Sequence, residues 1–289
     1  MSETAIGKVL WDWNVTSYDL AGKLEAAEAG KFDVLTVPYR CFRPLLDAGT
    51  SAAEILAAAE ARGVSLDFLD GMTSWCSIRY PPGNDFVRQA LDFSAEDALA
   101  FCDALGLRRI VAVAGFEVDA VPPLPQLIDE FGGFCERAAT EGIWVDLEPM
   151  AMMGINTLAL GWEIVREAGA PNSGLMFDTW HFMRAQPDLE LLAAIPRGKI
   201  RNVQIVDGGR EPIGPTLWDD VWARTLPGEG EFALADMLTV LRTNQDLSTV
   251  GPEAVSNELA GLPPAEVGAR ACRTTSAALI GAGFADPWG

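Results

Sequence analysis

The chain has 289 residues, with 21 Lys and Arg against 41 Asp and Glu, a formal net charge of −20, and a single His. So acidic a surface repels phosphate backbones and argues against a nucleic-acid partner. One His excludes metal sites built from several imidazoles, so any ion would be held mainly by oxygen, as Mg2+ or Mn2+ are, with Co2+ a third option.

Short apolar runs alternate with longer amphipathic segments from end to end. A strand is expected at 6–11, then a glycine-free turn, Asp12-Trp13-Asn14-Val15-Thr16, and a helix at 18–29. A strand at 32–38 pairs with a helix at 52–62, one at 64–69 with a helix at 86–105, and one at 109–114 with a helix at 124–141. In the second half the strands fall at 143–147, 174–177, 200–206 and 249–255. Their helices fall at 157–168, 189–194, 233–241 and 265–279. Most of the strands are continuously apolar, as parallel strands covered on both faces are. Eight such units predict an α/β fold of the (β/α)8 TIM-barrel type, one domain over 1–289, close to the usual size of about 250 residues. A doubly wound open sheet is the competing architecture, but it has fewer strands and a glycine-rich first turn. The longest irregular stretch, 207–232, would cover the C-terminal mouth of a barrel, where active sites are built.

Five scattered cysteines without a CxxC pair indicate reduced thiols in a cytoplasmic protein rather than a disulfide framework or zinc ribbon. The N-terminal MSETAIGKVLWDW has no basic region before a long apolar run, so no signal peptide is expected. No apolar stretch approaches the roughly 18 to 20 residues of a membrane helix, so no membrane partner is expected. The sequence is compatible with a homo-oligomer.

The chemistry is sought at the strand ends. Glu148 follows the fifth strand, Asp178 the sixth, and Gln204 and Glu253 lie on the seventh and eighth. Each alone reads as a strand-end polar residue or helix N-cap. Together, on four consecutive strands, they would offer a hard divalent cation three carboxylates and one amide oxygen.

At these residues the second half of the chain resembles the xylose-isomerase-like barrel superfamily. The matching signatures are Leu147-Glu148-Pro149, Asp178-Thr179-Trp180-His181, the seventh-strand segment ending in Asp207, Pro227-Gly228-Glu229-Gly230-Glu231-Phe232, and Glu253-Ala254-Val255-Ser256. The resemblance covers roughly 140–260 and implies Glu148, Asp178, Gln204 and Glu253 as metal ligands. It also places His181, the histidine of the DxxH signature, beside the metal and the substrate. Gln204 stands where most isomerase and epimerase members carry His, and in this it resembles the dehydroshikimate dehydratase branch.

Arg210, six residues beyond Gln204, corresponds to an arginine that contacts substrate oxygens in the epimerases it resembles, and otherwise reads as a solvated loop charge. Arg224, before the Pro-Gly-Glu-Gly turn, would bind an anionic group or brace the loop through a surface ion pair. Glu229 and Glu231 read as residues that cap or solvate that turn. Trp11, Trp13, Trp75, Met150, Met152, Met153 and Trp180 cluster at strand ends, and Trp11 and Trp180 are taken as rings for substrate, with packing as the alternative. GxxxxGK[ST], GxSxG and HExxH motifs are missing, which removes phosphate-loop, hydrolase-elbow and zincin readings.

The resulting expectation is a metal-dependent isomerase or epimerase of a small keto-sugar or hydroxyketone. The ion would polarise the carbonyl, and Glu148 and Glu253, with His181 beside them, would move protons. Loss of a β-hydroxyl from the same platform would make it a dehydratase, and a non-catalytic barrel is a third reading. The superfamily's abasic-site endonucleases, with several His ligands and a basic groove, do not fit one His and a charge of −20.

Overall fold

A computed structural model describes residues 6–77, 90–91, 93–285 and 288. Eight strands close a barrel in sequence order. They are β1 (Gly7–Leu10), β2 (Val34–Val37), β3 (Ser65–Met72), β4 (Arg109–Ala112), β5 (Trp144–Leu147), β6 (Ser173–Asp178), β7 (Ile200–Ile205) and β8 (Thr249–Pro252). Every ladder described is parallel. The continuous apolar runs have their explanation here: all six residues of β6 and all four of β8 are buried. The helices are α1 (Leu20–Ala29), α2 (Tyr39–Asp47), α3 (Ala52–Glu60), α4 (Ala95–Leu105), α5 (Leu124–Thr140) and α6 (Leu158–Ala168). After them come α7 (Thr179–Arg184), α8 (Leu189–Ala194), α9 (Leu217–Asp220), α10 (Leu234–Asn244) and α11 (Pro264–Gly281). Among the described residues no helix is long and apolar enough to cross a membrane. The five cysteines are free thiols.

The chain divides into two compact units, one of Met1–Leu35, Ala59–Ser65 and Phe177–Gly289, the other of Thr36–Ala58 and Leu66–Met176. In the first, β1 pairs with β2 on one side and β8 on the other, and β7 pairs with β8. A Cβ on Gly251 would lie 1.8 Å from the Val9 carbonyl oxygen, so the approach of β8 to β1 requires glycine there. The first turn folds as a short 3-10 helix over Asp12–Asn14. It carries Asp12, which pairs with Lys23 of α1 at 2.5 Å, the side chains 0% and 3% exposed. Lys23 also donates to the Val15 carbonyl at 3.1 Å. Removing the ammonium would strand a buried carboxylate, so Lys23→Met is expected to cost about 3–5 kcal/mol in urea unfolding, with most of that recovered in Lys23→Met/Asp12→Leu. An additive loss in the double variant would contradict this.

In the second unit β3, β4, β5 and β6 are neighbours in order. The strand β3 runs beyond its expected end at residue 69, to Met72, through a register shift between Leu69 and Met72. Phe68 (φ 62°) and Gly71 (φ 81°) take left-handed backbone at that shift. Within the helix expected over 86–105, Ala90 and Leu91 are helical and α4 opens at Ala95, where the Ser94 side chain accepts from the Asp97 amide and caps it. Residues 86–89 and 92 of that expectation lie outside the described residues. Three short helices, α2, α7 and α9, stand where the sequence reading has loops.

Glu130 of α5 gathers the Ser77 amide at 2.7 Å, the Ser77 hydroxyl at 2.6 Å and the Gln126 amide at 2.9 Å. Burial alone would push its carboxyl up, but the donors of Cys76, Ser77 and Gln126 outweigh it and bring the pKa down to about 2. A depressed carboxylate contributes stability above its ordinary value of 4.5, lost as pH falls toward about 2. The gap in urea midpoint between the wild type and Glu130→Gln is therefore expected to be open at about pH 6, to narrow as pH falls below 4.5, and to close only below about pH 2. A gap of constant size would show that the carboxylate charge is not what those donors hold.

Candidate metal centre

Each proposed ligand arrives at the site by a local device. The strand β5 delivers Glu148, whose amide donates to the Ala112 carbonyl at 2.9 Å and whose side chain is buried. The last residue of β6 is Asp178, which also caps α7: its Oδ1 accepts from the His181 amide at 2.8 Å. The one-turn helix then turns His181 inward. Thr179 locks the start of that helix to β7, its hydroxyl donating to the Val206 carbonyl at 2.6 Å and accepting from the Val206 amide at 2.7 Å. Gln204 of β7 is 0% exposed, and its Nε2 donates to Glu253 Oε1 at 2.7 Å. Its Oε1 is buried without a hydrogen-bond partner.

Glu253 follows β8 directly, on backbone held by Asn14. The Asn14 amide donates to the Pro252 carbonyl at 2.6 Å and its Oδ1 accepts from the Ala254 amide at 2.8 Å. Within the first unit, one ligand atom of Asp178 and one of His181 lie within 4.8 Å of each other.

Arg224 is not the surface residue that one sequence reading made it. It is 1% exposed, with Nη1 3.2 Å from Asp178 Oδ2 and 3.0 Å from Glu253 Oε2. Its Nη2 lies 2.9 Å from His181 Nε2. An arginine nitrogen always donates, so Nε2 is the acceptor and the imidazole is neutral with its proton on Nδ1. Burial first, then the Arg224 charge, drives the His181 pKa well below its ordinary value. The Asp178 carboxyl is pushed up by burial, which outweighs Arg224, the backbone amides of His181 and Trp180, and Glu253.

The loop 207–232 is built around buried charges. Asp207 pairs its backbone with Thr225, and its carboxylate takes the amides of Gly208, Gly228 and Phe232 at 2.8, 3.0 and 3.0 Å. That carboxylate explains the Pro-Gly-Glu-Gly turn. Gly228 is at φ 80°, and a Cβ on Gly230 would meet Asp207 Oδ1 at 2.4 Å. Arg184 of α7 binds Asp220 of α9 at 2.5 Å, donates to the Gly209 and Arg210 carbonyls, and lies over the Phe232 ring at 4.9 Å. Asp207 was noted only as the end of a matching signature, and Arg184, Asp220 and Asn14 were given no role by sequence reasoning. For Asn14, the one amide in an aromatic turn was a visible signal.

Arg210 is exposed on that loop, its amide donating to Glu231. Glu229 is joined to Arg270 of α11 at 2.8 Å rather than left to solvent. Trp11 and Trp180 are both fully buried. The Trp180 ring carries the Arg224 guanidinium 4.5 Å above it and Arg184 at 5.7 Å, so a substrate stacks there only if Arg224 moves.

A family model described as the xylose isomerase-like TIM barrel matches residues 24–270. The chain belongs to that family. Two curated relatives are 3-dehydroshikimate dehydratases of Pseudomonas. That of P. aeruginosa is 31% identical over 150 residues, 50% of this chain and 23% of its own length. That of P. putida is 26% identical over 225 residues, 76% of this chain and 33% of its own length. The chain thus spans about a quarter to a third of the curated relatives it matches. Among solved structures, the IOLI protein with a zinc atom bound superposes with a TM-score of 0.81 at 19% identity, over 95% of this chain and 98% of that one. At that identity the likeness shows the fold.

Proposed function

We propose that this family member is a divalent-metal-dependent dehydratase of a small cyclic hydroxyketone of the 3-dehydroshikimate type. The observation that carries the reading is Gln204: an amide at the end of β7, fully buried, its Oε1 without a partner and its Nε2 committed to Glu253. A buried orphan acceptor costs about 1–3 kcal/mol, and a cation removes that cost. Glu148, Asp178, Gln204 and Glu253 would hold the ion through hard oxygen donors, which suits Mn2+ or Mg2+. The zinc atom in the IOLI structure is consistent with an ion in this fold. The dehydratase relatives support dehydration over the isomerase expectation, although they are much longer proteins.

A bound divalent ion would supply Lewis acidity to the substrate carbonyl and so acidify the adjacent C–H. The chain's own groups do the rest. His181, held neutral, offers Nε2 as a base for that proton once Arg224 no longer covers it. The C–H pair becomes the new C=C bond, the β-carbon–oxygen bond breaks, and the proton on His181 returns to the departing hydroxyl as water. All four proposed ligands are at most 5% exposed, and the low dielectric that goes with burial strengthens every charge among them.

The test is to incubate Mn2+-loaded protein with 3-dehydroshikimate and with a ketose panel. New conjugated ultraviolet absorbance with the former and no change in the latter is the expected result. Epimerised or isomerised product without new absorbance would overturn dehydration and restore Glu148 and Glu253 as a two-faced proton-transfer pair.

A further inference from the structure

We propose that Arg224 is a resident counter-cation that competes with the divalent ion for Asp178 and Glu253 and leaves this position when the ion binds. The inference rests on the metal reading above and is argued from the second oxygen of each carboxylate. Asp178 spends Oδ1 on the His181 amide, and Glu253 spends Oε1 on Gln204. The remaining oxygens, Asp178 Oδ2 and Glu253 Oε2, both face the same nitrogen, Arg224 Nη1. A cation bound by these two carboxylates through their open oxygens would stand where the guanidinium stands. Two positive groups a few ångströms apart in a buried pocket repel strongly.

The guanidinium is also imperfectly housed. Its Nε is buried without a hydrogen-bond partner, an unmet donor. The backbone beside it does not yield readily: Ala223 bridges to Ser256 and Thr225 bridges to Asp207, so Arg224 sits between two pinned neighbours. The exchange is therefore a side-chain rotation. When Arg224 rotates away it uncovers His181 Nε2 and the Trp180 face together. Metal binding and exposure of the base thus become one event, and without metal the carboxylates keep a counter-charge.

The experiment measures Mn2+ affinity, by the electron paramagnetic resonance of free Mn2+, for wild type, Arg224→Met and Arg224→Lys, and thermal unfolding of each with and without Mn2+. Arg224→Met is expected to bind Mn2+ more tightly by about 5- to 150-fold, the usual span of a coupling between two binding events. Its Tm is expected to fall without metal and to recover with it. Arg224→Lys, a smaller cation without the planar fork, is expected between the two. Recovery of Arg224→Met as folded protein only when Mn2+ is present supports the same competition. In wild type, a change in the Arg224 side-chain 15N resonance on Mg2+ addition, located by its loss in Arg224→Lys, is expected as the guanidinium leaves. Wild-type affinity equal to or tighter than that of Arg224→Met overturns the competition while leaving the metal site intact. Failure of all three proteins to take up Mn2+ overturns the metal reading, and the competition with it.

Discussion

Glu253→Gln is expected to lower kcat by about a hundred- to a thousandfold, the scale seen when one preorganised charge-stabilising group is removed. Mn2+ affinity should fall by more than the tenfold to hundredfold typical of losing a group behind a ligand. The side chain is bound by Gln204 on Oε1 and by Arg224 on Oε2, it interacts with Asp178, and the backbone beside it is held by Asn14. The amide is nearly isosteric, so the change removes charge and leaves shape. Arg224 keeps Asp178 as its partner, which makes loss of fold an unsatisfying explanation for loss of turnover. Equilibrium dialysis of Mn2+ and initial rates check both numbers, and the thermal transition reports whether the fold is intact. Full activity in Glu253→Gln would remove Glu253 from the site. Retained Mn2+ affinity with lost turnover would instead make it a proton-transfer group rather than a ligand.

How much of this was readable in advance depended on whether the deciding partner lay nearby in sequence. The eight strands announce themselves because burial on both faces forces a continuous apolar run, and each was found within a few residues. The strand-end carboxylates and Gln204 were legible for a related reason: a polar residue at the end of such a run has few uses other than a cap or a site. The helix α2 was not expected, because Pro44 falls inside the nine residues Tyr39–Asp47 and reads as a helix break, although the segment is strongly amphipathic. That α4 begins afresh at Ala95, after helical residues 90 and 91, rests on one cap, Ser94.

Arg224 was the largest difference. Nothing local distinguishes an arginine that will be 1% exposed from one in solvent. Its position is fixed by bridges from residues 223 and 225 to chain segments on either side, and its charge by carboxylates 46 and 29 residues away. Lys23, Arg184 and Asp220 escaped for the same reason, because pairing of a buried charge is a tertiary fact. The aromatic residues were read from type alone as rings for substrate or as packing, and the Trp180 ring lies beneath Arg224 and Arg184.

His181→Gln separates the two roles that its geometry permits. Its Nε2 faces the guanidinium of Arg224, and a ligand atom of His181 is within 4.8 Å of one of Asp178, so it could serve as base or as ligand. If four oxygen donors hold the ion, as proposed, the imidazole is the base. Turnover should then drop by about a hundred- to ten-thousandfold, the usual contribution of general acid–base catalysis, with Mn2+ affinity within about threefold of wild type. The cap on α7 comes from the backbone amide of residue 181 and survives the substitution, so the helix and Asp178 should stay in place. Gln204→Ala makes the reciprocal comparison, losing Mn2+ affinity first because it removes the amide oxygen and leaves the imidazole. A hydrogen–deuterium exchange readout at the substrate carbon beside the carbonyl adds a measure independent of product formation. Exchange in D2O should vanish in His181→Gln and persist, at saturating Mn2+, in Gln204→Ala. The opposite pattern, with metal lost in His181→Gln and kept in Gln204→Ala, would place nitrogen in the coordination sphere and leave one of the carboxylates to act as base.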